Sequence, residues 1–306
     1  MPQKGNLPAI YQRHRIDSIP RDNKTWYSQD MTPDRYLSAF SATNPVHLAE
    51  TPRAKLWRVN HHNGPAVLKV FTERGTNAGD MNGTALLRLW DGDGAACLLA
   101  QIDNAILMEW LPGQSLKDTL SGGDDDVAAE VISEISLKLR RSPIDGFLNL
   151  EDHFGGTLLS AKKDDFPEPF QAAFGRAQAL FHRLQKTTQQ PCLMHGDLNY
   201  QNIISSDRGW LAIDPKGIIA DPCYEFGVAF RNPTDDPDRV AAPERILKLA
   251  ASFASHTKLN EKRILQFGFL HVAMSLAYHY KRTSDFSETD LAIFRSFDGL
   301  LRAGAL

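Results

Sequence analysis

The most informative part of the chain is a short segment whose side chains could bind a metal ion. Apolar runs at 203–205 and 210–213 flank Asp207-Arg208-Gly209, which favours a β-hairpin with a three-residue loop, because glycine readily adopts left-handed backbone angles. In that register Asn202 and Asp214 face each other just beyond the ladder, with Cβ atoms about 5 Å apart. An amide oxygen and a carboxylate at this spacing can share a divalent cation, and Mg²⁺ prefers such oxygen ligands.

A second acidic residue, Asp197, lies five positions before Asn202. An aspartate followed, after four residues, by an asparagine is the spacing of a catalytic loop for phosphoryl transfer. In such a loop the aspartate accepts the proton of the acceptor hydroxyl, while the asparagine and a later aspartate hold the metal. Lys69 completes the set, because it lies in the middle of a predicted strand, where a cation is costly without an anionic partner.

Each of these residues also has an ordinary structural interpretation. Aspartate and asparagine are common turn residues, and a lysine can protect the edge of a sheet from aggregation. The fixed spacing, combined with the predicted hairpin register, favours the chemical interpretation.

The sequence before this segment predicts a small antiparallel sheet that carries one helix. Alternating apolar residues predict strands, an Asn-Gly pair predicts a hairpin turn between the second and third strands, and a helix is expected at 84–90. The predicted strands are 46–49, 55–59, 66–71, 97–101 and 105–110. Residues 1–44 are a polar, proline-containing N-terminal extension, with one helix expected from Thr32 to Ala42.

The rest of the chain is predicted to be mostly helical. Leu111-Pro112-Gly113 is the expected linker, and apolar residues at helical spacing follow it. The predicted helices are 124–141, 169–186, 243–256, 260–282 and 288–302. The sequence therefore predicts an α+β chain with an extension (1–44), a sheet lobe (45–111) and a helical lobe (112–306).

Composition excludes several classes of protein. Thirty-four Lys and Arg against 37 Asp and Glu give a net charge of -3, so a basic nucleic-acid-binding surface is not expected. Three cysteines without a C-x-x-C pair argue against a disulfide framework or a structural zinc site. The N-terminus has no signal-peptide pattern and no stretch is apolar enough for a membrane span. We therefore expect a cytoplasmic protein without a membrane or nucleic-acid partner.

The motifs together resemble those of a known superfamily. His195-Gly196-Asp197, followed by Asn202 and then Ile213-Asp214, is similar to the signature of the aminoglycoside and choline kinase-like phosphotransferases. The resemblance implies a protein-kinase-like fold with two lobes. In that fold a small antiparallel N-lobe covers ATP, and a mostly helical C-lobe holds the catalytic loop and the acceptor.

A narrower resemblance rests on residues 209–217, Gly227 and Arg231-Asn232-Pro233. These are similar to the aminoglycoside/hydroxyurea antibiotic-resistance kinases, a group that includes the streptomycin 6-phosphotransferases. The similarity runs from about residue 45 to the C-terminus, and the motifs within 193–233 are highly specific.

The resemblance implies a role for each matching residue. Asp197 would be the catalytic base and His195 would orient the loop. ATP and Mg²⁺ are the implied cofactors. Asn202 and Asp214 would be the metal ligands, and Lys69 would contact the α- and β-phosphates. The backbone of a hinge would pair with adenine, and this hinge comprises Met108, Glu109, Trp110 and Leu111.

Two features depart from the family pattern. The loop at 50–54 contains no glycine, so the sequence predicts no glycine-rich phosphate cradle, and a threonine hydroxyl with backbone amides would have to substitute for one. The helix at 84–90 has no carboxylate to pair with Lys69. Asp80 is the candidate partner, with Glu73 as the other nearby acid.

The acceptor is the least determined part of the prediction. Asp221 and Glu225 are candidate acceptor-binding residues, with a structural role for Glu225 equally open, and the acidic run at 235–238 is expected to be solvated.

We expect an ATP- and Mg²⁺-dependent phosphotransferase that moves the γ-phosphate to a small-molecule hydroxyl. The resemblance implies an aminoglycoside such as streptomycin, or hydroxyurea, as the acceptor. Two alternatives remain: a kinase of an unrelated sugar or metabolite, and a non-catalytic nucleotide-binding relative. The sequence predicts neither the hydroxyl that is phosphorylated nor an oligomeric state.

Overall fold

The computed structural model describes residues 32–77, 81–120, 123–162 and 165–305. The chain divides into two compact units. The first contains the residues up to Thr119 together with Gln201–Lys216, and the second contains Leu120–Tyr200 and the residues from Gly217 onward.

The two units differ from the predicted lobes in more than one respect, since the first unit extends past residue 111 to Thr119. The segment Gln201–Lys216 was predicted with the helical lobe, whereas its contacts group it with the sheet. Asn202 and Asp214 therefore belong to the same unit as Lys69, and Asp197 belongs to the other.

Within the described ranges the chain forms ten β-strands in three sheets. A five-stranded antiparallel sheet has the order β1-β2-β3-β5-β4, β8 and β9 form a hairpin, and a three-stranded sheet has the order β6-β10-β7. The strands are β1 (Thr43–Glu50), β2 (Ala54–His61), β3 (Gly64–Phe71), β4 (Leu98–Ile102), β5 (Ala105–Glu109), β6 (Leu148–Asn149), β7 (Cys192–Met194), β8 (Ile203–Ser206), β9 (Gly209–Ala212) and β10 (Ile218–Ala220).

The same ranges contain eleven α-helices. They are α1 (Asp34–Leu37), α2 (Glu73–Asn77), α3 (Asn82–Trp90), α4 (Leu116–Thr119), α5 (Asp125–Leu139), α6 (Leu150–Phe154), α7 (Glu168–Thr187), α8 (Pro237–Ala241), α9 (Pro243–Thr257), α10 (Glu261–Thr283) and α11 (Glu288–Arg302). A π-helical turn occupies Gly155–Leu159, and 3₁₀ segments occupy Tyr200–Asn202 and Pro222–Arg231.

The strands and helices confirm most of the predicted elements. All five strands of the first sheet and the five long helices of the second unit form close to their predicted positions. The helix predicted from Thr32 to Ala42 is much shorter, because Ser41 adopts a left-handed backbone angle and the chain enters β1 two residues later. Residues 1–31 of the predicted extension lie outside the described residues.

Strand β3 lies in the middle of the five-stranded sheet and is buried on both faces. Residues 66–71 are all buried, and the sheet core includes Leu68 and Val70 together with Trp57 on the neighbouring strand. A strand that is covered on both faces reads as a continuous apolar run. Lys69 interrupts that run, so its charge has to be compensated inside the first unit.

Four arginine–carboxylate pairs tie the helices of the second unit together. In each pair an arginine nitrogen lies within 2.8 Å of a carboxylate oxygen, and each carboxylate side chain is largely buried. The pairs are Arg176–Asp298, Arg231–Asp290, Arg245–Asp125 and Arg263–Asp221. A planar guanidinium can donate two parallel hydrogen bonds to a carboxylate, which fixes the orientation of the helices as well as their spacing.

Candidate active site

The β8–β9 hairpin forms as predicted, but its register differs by one residue. Ser206 pairs with Gly209 and the connecting turn is the two-residue Asp207-Arg208, so the three-residue loop is wrong. Gly209, with a φ of 91°, is the first residue of β9 and not part of the loop. As a result Asn202 lies opposite Ile213, whose N–H donates to the Asn202 carbonyl oxygen at 2.9 Å.

Asp214 follows this last pair in a left-handed conformation, with a φ of 58°. Successive side chains of a strand point to opposite faces, so a shift of one residue would normally send Asp214 to the wrong face. The left-handed backbone at this position ends the strand geometry and redirects the side chain. The carboxylate Oδ1 then lies 2.5 Å from Lys69 Nζ.

The hairpin is attached to the rest of the first unit by its turn and by β8. Arg208 forms an ion pair with Glu109 and donates to the Gly92 carbonyl oxygen at 3.0 Å. On β8 the N–H of Ser205 donates to the Gln114 carbonyl oxygen at 2.9 Å. These contacts position the end of the hairpin, where Asp214 lies, relative to the five-stranded sheet.

Lys69 therefore obtains its negative partner from the hairpin. Its ammonium group contacts Asp214 and lies 4.8 Å from the centre of the Phe71 ring. Of the two acids considered from the sequence, Glu73 is exposed at the start of α2, whereas Asp80 lies outside the described residues and its pairing with Lys69 stays a prediction. Lys69 and Asp214 are thus two sequence-predicted site residues that lie in direct contact.

The first turn of α3 closes over this ion pair. A Cβ atom at Gly83 would collide with the Pro215 carbonyl oxygen, so only glycine permits this close approach. The next residue, Thr84, is buried, and no hydrogen-bond partner for its Oγ1 exists within the described ranges. A cavity of about 10 Å³ adjoins it. Its lining comprises Lys69, Phe71, Gly83, Thr84, Leu87, Ile106, Met108, Asp214 and Pro215.

The loop between β1 and β2 is closed by its own hydrogen bonds. The Thr51 hydroxyl donates to the Ala54 carbonyl oxygen at 3.1 Å and accepts from the N–H groups of Arg53 and Ala54. The Thr72 hydroxyl donates to the Pro52 carbonyl oxygen at 2.9 Å. The threonine and the amides that were expected to replace a glycine-rich cradle are thus engaged inside the turn. Their predicted role in phosphate binding stays a prediction.

The predicted hinge continues from β5. The N–H of Glu109 donates to the Cys97 carbonyl oxygen at 3.0 Å, and that of Trp110 donates to the Pro65 carbonyl oxygen at 3.2 Å. The Glu109 carboxylate accepts from the Cys97 N–H at 2.7 Å. Met108 and Leu111 are buried. An adenine ring would therefore have to pair with backbone groups of this segment other than the N–H groups of Glu109 and Trp110.

In the second unit, His195 shapes the loop that carries Asp197. The imidazole is fully buried, and its Nδ1 accepts from the Asp197 N–H at 3.2 Å. Gly196 between them has a φ of 80°. The Asn199 side chain donates to Asp197 Oδ1 at 3.1 Å. A fully buried imidazole that accepts from the loop backbone has the geometry of an orienting group.

Glu225 also stabilises the loop that carries Asp197. Its Oε2 accepts from the His195 N–H and its Oε1 from the Gly196 N–H, both at 2.9 Å, and the residue is 2% exposed. Burial, with a smaller effect from the charge of Asp197, raises the pKa of this carboxyl to about 7, although the two N–H groups and the charge of Arg140 favour the ionised form. Both oxygens are used inside the unit, which favours the structural one of the two roles considered for Glu225, and the acceptor-binding role stays a prediction.

Asp221 has a similar structural role. Its carboxylate accepts from Arg263 Nε at 2.7 Å and from the Cys223 N–H at 3.0 Å, and the residue is buried. The second hydrogen bond caps the 3₁₀ segment that begins at Pro222. The carboxylate is thus directed into the helical unit, and the role of Asp221 in acceptor binding stays a prediction.

Sequence reasoning missed three residues of this arrangement. Asn199 holds the Asp197 carboxylate, Arg208 anchors the hairpin and Thr84 faces the cavity beside Lys69. One local signal was available for Thr84: it lies three residues before Leu87, which is on the buried face of α3, so the two side chains share that face.

Comparisons with known proteins decide the family. The family model described as aminoglycoside/hydroxyurea antibiotic resistance kinase matches residues 40–282. A streptomycin 3''-kinase from Klebsiella pneumoniae is 30% identical over 222 residues, which cover 70% of this chain and 79% of that protein. The chain belongs to the aminoglycoside/hydroxyurea antibiotic resistance kinase family. A streptomycin 6-kinase from Streptomyces griseus is 29% identical over 148 residues, covering 46% of this chain and 47% of that protein.

Solved structures confirm the fold of this kinase. An aminoglycoside phosphotransferase APH(4)-Ia, solved with ADP and hygromycin B, superimposes with a TM-score of 0.62 at 12% identity, covering 90% of this chain and 100% of that one. Choline kinase LicA from Streptococcus pneumoniae superimposes with a TM-score of 0.58 at 15% identity, covering 88% and 97%. The predicted α+β, protein-kinase-like fold is therefore correct.

Membership of this family makes the protein a small-molecule kinase, which transfers a phosphoryl group from ATP to a hydroxyl of its acceptor. In the ranges that the structure describes, no helix has both the length and the apolar character needed to cross a membrane.

Proposed function

We propose that this kinase phosphorylates a hydroxyl of an aminoglycoside related to streptomycin, with Mg²⁺ as the metal. The support for the acceptor is the family match and the relative from Klebsiella pneumoniae, which is a streptomycin 3''-kinase. The observation that carries the proposed chemistry is the 2.5 Å contact between Lys69 and Asp214. The contact supports the proposal that Lys69 is the phosphate-binding cation and that Asp214, beside it, is a metal ligand.

The donor set fits magnesium. Asn202 and Asp214, at the open end of the β8–β9 hairpin, would supply an amide oxygen and a carboxylate, and the Asp214 side chain is partly exposed. No group of three or more His, Cys, Asp or Glu side chains that could hold a metal occurs in the described part of the chain. A site with few protein ligands suits Mg²⁺, which keeps several waters and binds substrate phosphates. When bound, Mg²⁺ would neutralise charge on those phosphates.

The chain's own residues would then divide the remaining work. Lys69 would contact the α- and β-phosphates with the ammonium group that now pairs with Asp214. Asp197 would accept the proton of the acceptor hydroxyl and orient the oxygen for in-line attack. His195, Asn199 and Glu225 would keep the Asp197 loop in the required conformation through the hydrogen bonds described above.

One observation favours a second candidate, a kinase of a sugar or metabolite with little positive charge. A polycationic acceptor needs convergent carboxylates, and the two acids considered for that purpose, Asp221 and Glu225, are buried and bonded inside the second unit. In the acidic run at 235–238, the Asp236 carboxylate is likewise engaged within the unit, because it caps α8 by accepting from the Arg239 N–H.

The closed loop at Thr51 favours the third candidate, a non-catalytic nucleotide-binding relative, because its amides are already occupied. The cytoplasmic location and the absence of a nucleic-acid partner stay predictions.

The decisive experiment measures phosphate transfer from ATP with Mg²⁺ to a panel containing streptomycin, other aminoglycosides, hydroxyurea and neutral sugars. We expect transfer to streptomycin, and a loss of about a thousandfold in Asp197→Asn and Asp214→Asn, both still folded. Asp207→Asn is the matched control, because Asp207 lies in the exposed turn of the same hairpin.

Each outcome separates the candidates. Transfer only to sugars would replace the aminoglycoside with a metabolic acceptor, and tight nucleotide binding without transfer to any acceptor would identify a non-catalytic relative. Wild-type transfer by either Asp197→Asn or Asp214→Asn would overturn the assigned roles.

A further inference from the structure

We propose that the Thr84 hydroxyl positions Lys69 through a water molecule bound in the cavity beside the Lys69–Asp214 ion pair. The inference rests on the nucleotide-binding role proposed for Lys69. Thr84 thereby takes the place of the helix carboxylate that α3 lacks. It is a positioning residue, since it acts on the phosphate-binding group and does not contact the reacting atoms.

The first argument is the state of the hydroxyl itself. Thr84 is 2% exposed, and its Oγ1 has no hydrogen-bond partner in the part of the chain that the structure describes. Leaving a buried hydroxyl unsatisfied is costly, so buried polar groups are nearly always bonded to protein or to ordered water. A bound water molecule would remove that cost.

The second argument is the cavity that Thr84 faces. Its volume of about 10 Å³ is close to the room that one water molecule needs. A buried water also needs two to four polar partners. Thr84, Lys69 and Asp214 all line the cavity and provide a hydroxyl, an ammonium group and a carboxylate. The other side chains that line it are apolar and would hold the water at the polar end.

The third argument is the composition of α3. In protein kinases the strand lysine pairs with a glutamate of the equivalent helix, but residues 82–90 contain no acidic side chain. The close contact of Gly83 with Pro215 leaves little space at this end of the helix. A neutral hydroxyl and a water molecule orient the ammonium group without neutralising it, so its full charge stays available for phosphate when Asp214 binds the metal.

The test compares Thr84→Val, which removes the hydroxyl at nearly constant volume, with Thr84→Ser, which retains it. Ser133→Ala is the matched control. Ser133 on α5 is likewise a buried hydroxyl without a partner in the described structure, but it belongs to the second unit, away from Lys69. The readouts are the urea midpoint of the nucleotide-free protein and the calorimetric Kd for ADP with Mg²⁺.

We expect Thr84→Val to lower the urea midpoint and to weaken ADP binding about tenfold, the effect of losing one hydrogen bond in a charged network. Thr84→Ser should stay within about twofold of wild type, because a serine keeps the bond. Ser133→Ala should leave the Kd unchanged and should not lower the midpoint, since it removes an unsatisfied group.

Three results would overturn the inference. If Thr84→Val had a urea midpoint at or above the wild-type value and an unchanged Kd for ADP, the Thr84 hydroxyl would contribute to neither stability nor nucleotide binding. A lower midpoint with an unchanged Kd would show a structural role only. A high-resolution crystal structure of the wild-type protein with a dry cavity would exclude the water, even if Thr84→Val failed to fold.

These readouts do not depend on the acceptor. An ordered water between Thr84 and Lys69, with the expected midpoints and ADP affinities, would support the inference even if no acceptor were phosphorylated. In that case the proposed function would be wrong, whereas the inference about Thr84 would stand.

Discussion

The ammonium group of Lys69 and the carboxylate of Asp214 form an ion pair that joins β3 to the end of the β8–β9 hairpin, with 2.5 Å between Nζ and Oδ1. The pair is asymmetric: the Lys69 side chain is 10% exposed and the Asp214 side chain is 43% exposed. The cation therefore depends on its partner more than the carboxylate does, because water can solvate Asp214 but hardly reaches Lys69.

The asymmetry predicts unequal effects of the two single substitutions. Asp214→Asn should lower the free energy of unfolding by about 1–3 kcal/mol, because it leaves a buried cation without a charged partner. Lys69→Met should cost less, since methionine suits an apolar site and Asp214 remains hydrated. Urea unfolding of both variants checks the order. If Lys69→Met were the more damaging change, the ion pair would not have the asymmetry described here.

Lys69→Met should nevertheless reduce kcat/KM for ATP by about a hundredfold, because a cation that contacts phosphate in the transition state is lost. Steady-state kinetics at several ATP concentrations provide the measurement. Lys55→Met on the neighbouring strand is a suitable control, since Lys55 is only partly buried and pairs with Glu50 at 3.4 Å. Equal losses in both variants would argue against a specific nucleotide role for Lys69.

Glu225 should make stability depend on pH. Burial raises its pKa from 4.5 to about 7 in the folded protein, so the folded state binds a proton that the unfolded state has released in this interval. The contribution of Glu225 to stability is therefore full below pH 4.5 and is lost as the pH rises to 7. The difference in unfolding free energy between wild type and Glu225→Gln should fall across this window.

The Glu225→Gln substitution should also affect activity. The ionised carboxylate accepts from the N–H groups of both His195 and Gly196, whereas a glutamine amide presents one N–H₂ group to these donors. Glu225→Gln should thus lower kcat while leaving KM for ATP nearly unchanged. A stability difference that stays flat from pH 4.5 to 7, or full activity of the variant, would contradict this role.

The buried pair of Asp125 and Arg245 should contribute far more to stability than its exposed neighbour. Arg245 donates twice to Asp125 at 2.8 Å, and both side chains are largely buried. Asp125→Asn should destabilise the protein by about 3–5 kcal/mol, because it leaves the buried guanidinium without a charge partner.

The matched control is Lys248→Ala. Lys248 pairs with the adjacent residue, Asp126, also at 2.8 Å, but both side chains are exposed. Since solvent screens such a pair, its loss should not shift the urea midpoint measurably. Comparable shifts for Asp125→Asn and Lys248→Ala would mean that burial does not decide the strength of these pairs.

The contact between Gly83 and Pro215 should make position 83 intolerant of any side chain. Gly83→Ala would push α3 away from the segment that carries Asp214, lowering stability by about 1–3 kcal/mol and weakening nucleotide binding. Gly299 on α11 offers the opposite case, since a Cβ there meets no atom within 4 Å.

Gly299→Ala should therefore stabilise the protein by about 0.5–1 kcal/mol, because alanine loses less backbone entropy in a helix. Thermal unfolding and ADP titration of both variants test the pair. A neutral Gly83→Ala would show that α3 and Pro215 can separate without cost.

Local pattern was sufficient to predict most of the elements and to propose the reactive groups. Alternation in β2 and β3 and helical spacing in α5 and α10 reflect which face each element buries, and that face is written in the residue types. Asp197 and Asn202 are separated by a fixed length of chain, so their relationship could be recognised without any long-range contact. The same local information carried the family resemblance, which the comparisons confirm.

Packing settled the relationships between distant residues. The hairpin turn has two residues in place of the predicted three. The sequence could not distinguish the two lengths, because apolar alternation is compatible with both and the ion pair between Arg208 and Glu109 depends on the fold. Lys69 needed an anion, but its carboxylate partner lies 145 positions away in the sequence, and the contact depends on the left-handed backbone of Asp214. Glu225 is an acid with several suitable roles in the sequence. Its burial against the N–H groups of His195 and Gly196 favours a structural role, because a desolvated carboxylate needs hydrogen-bond donors around it.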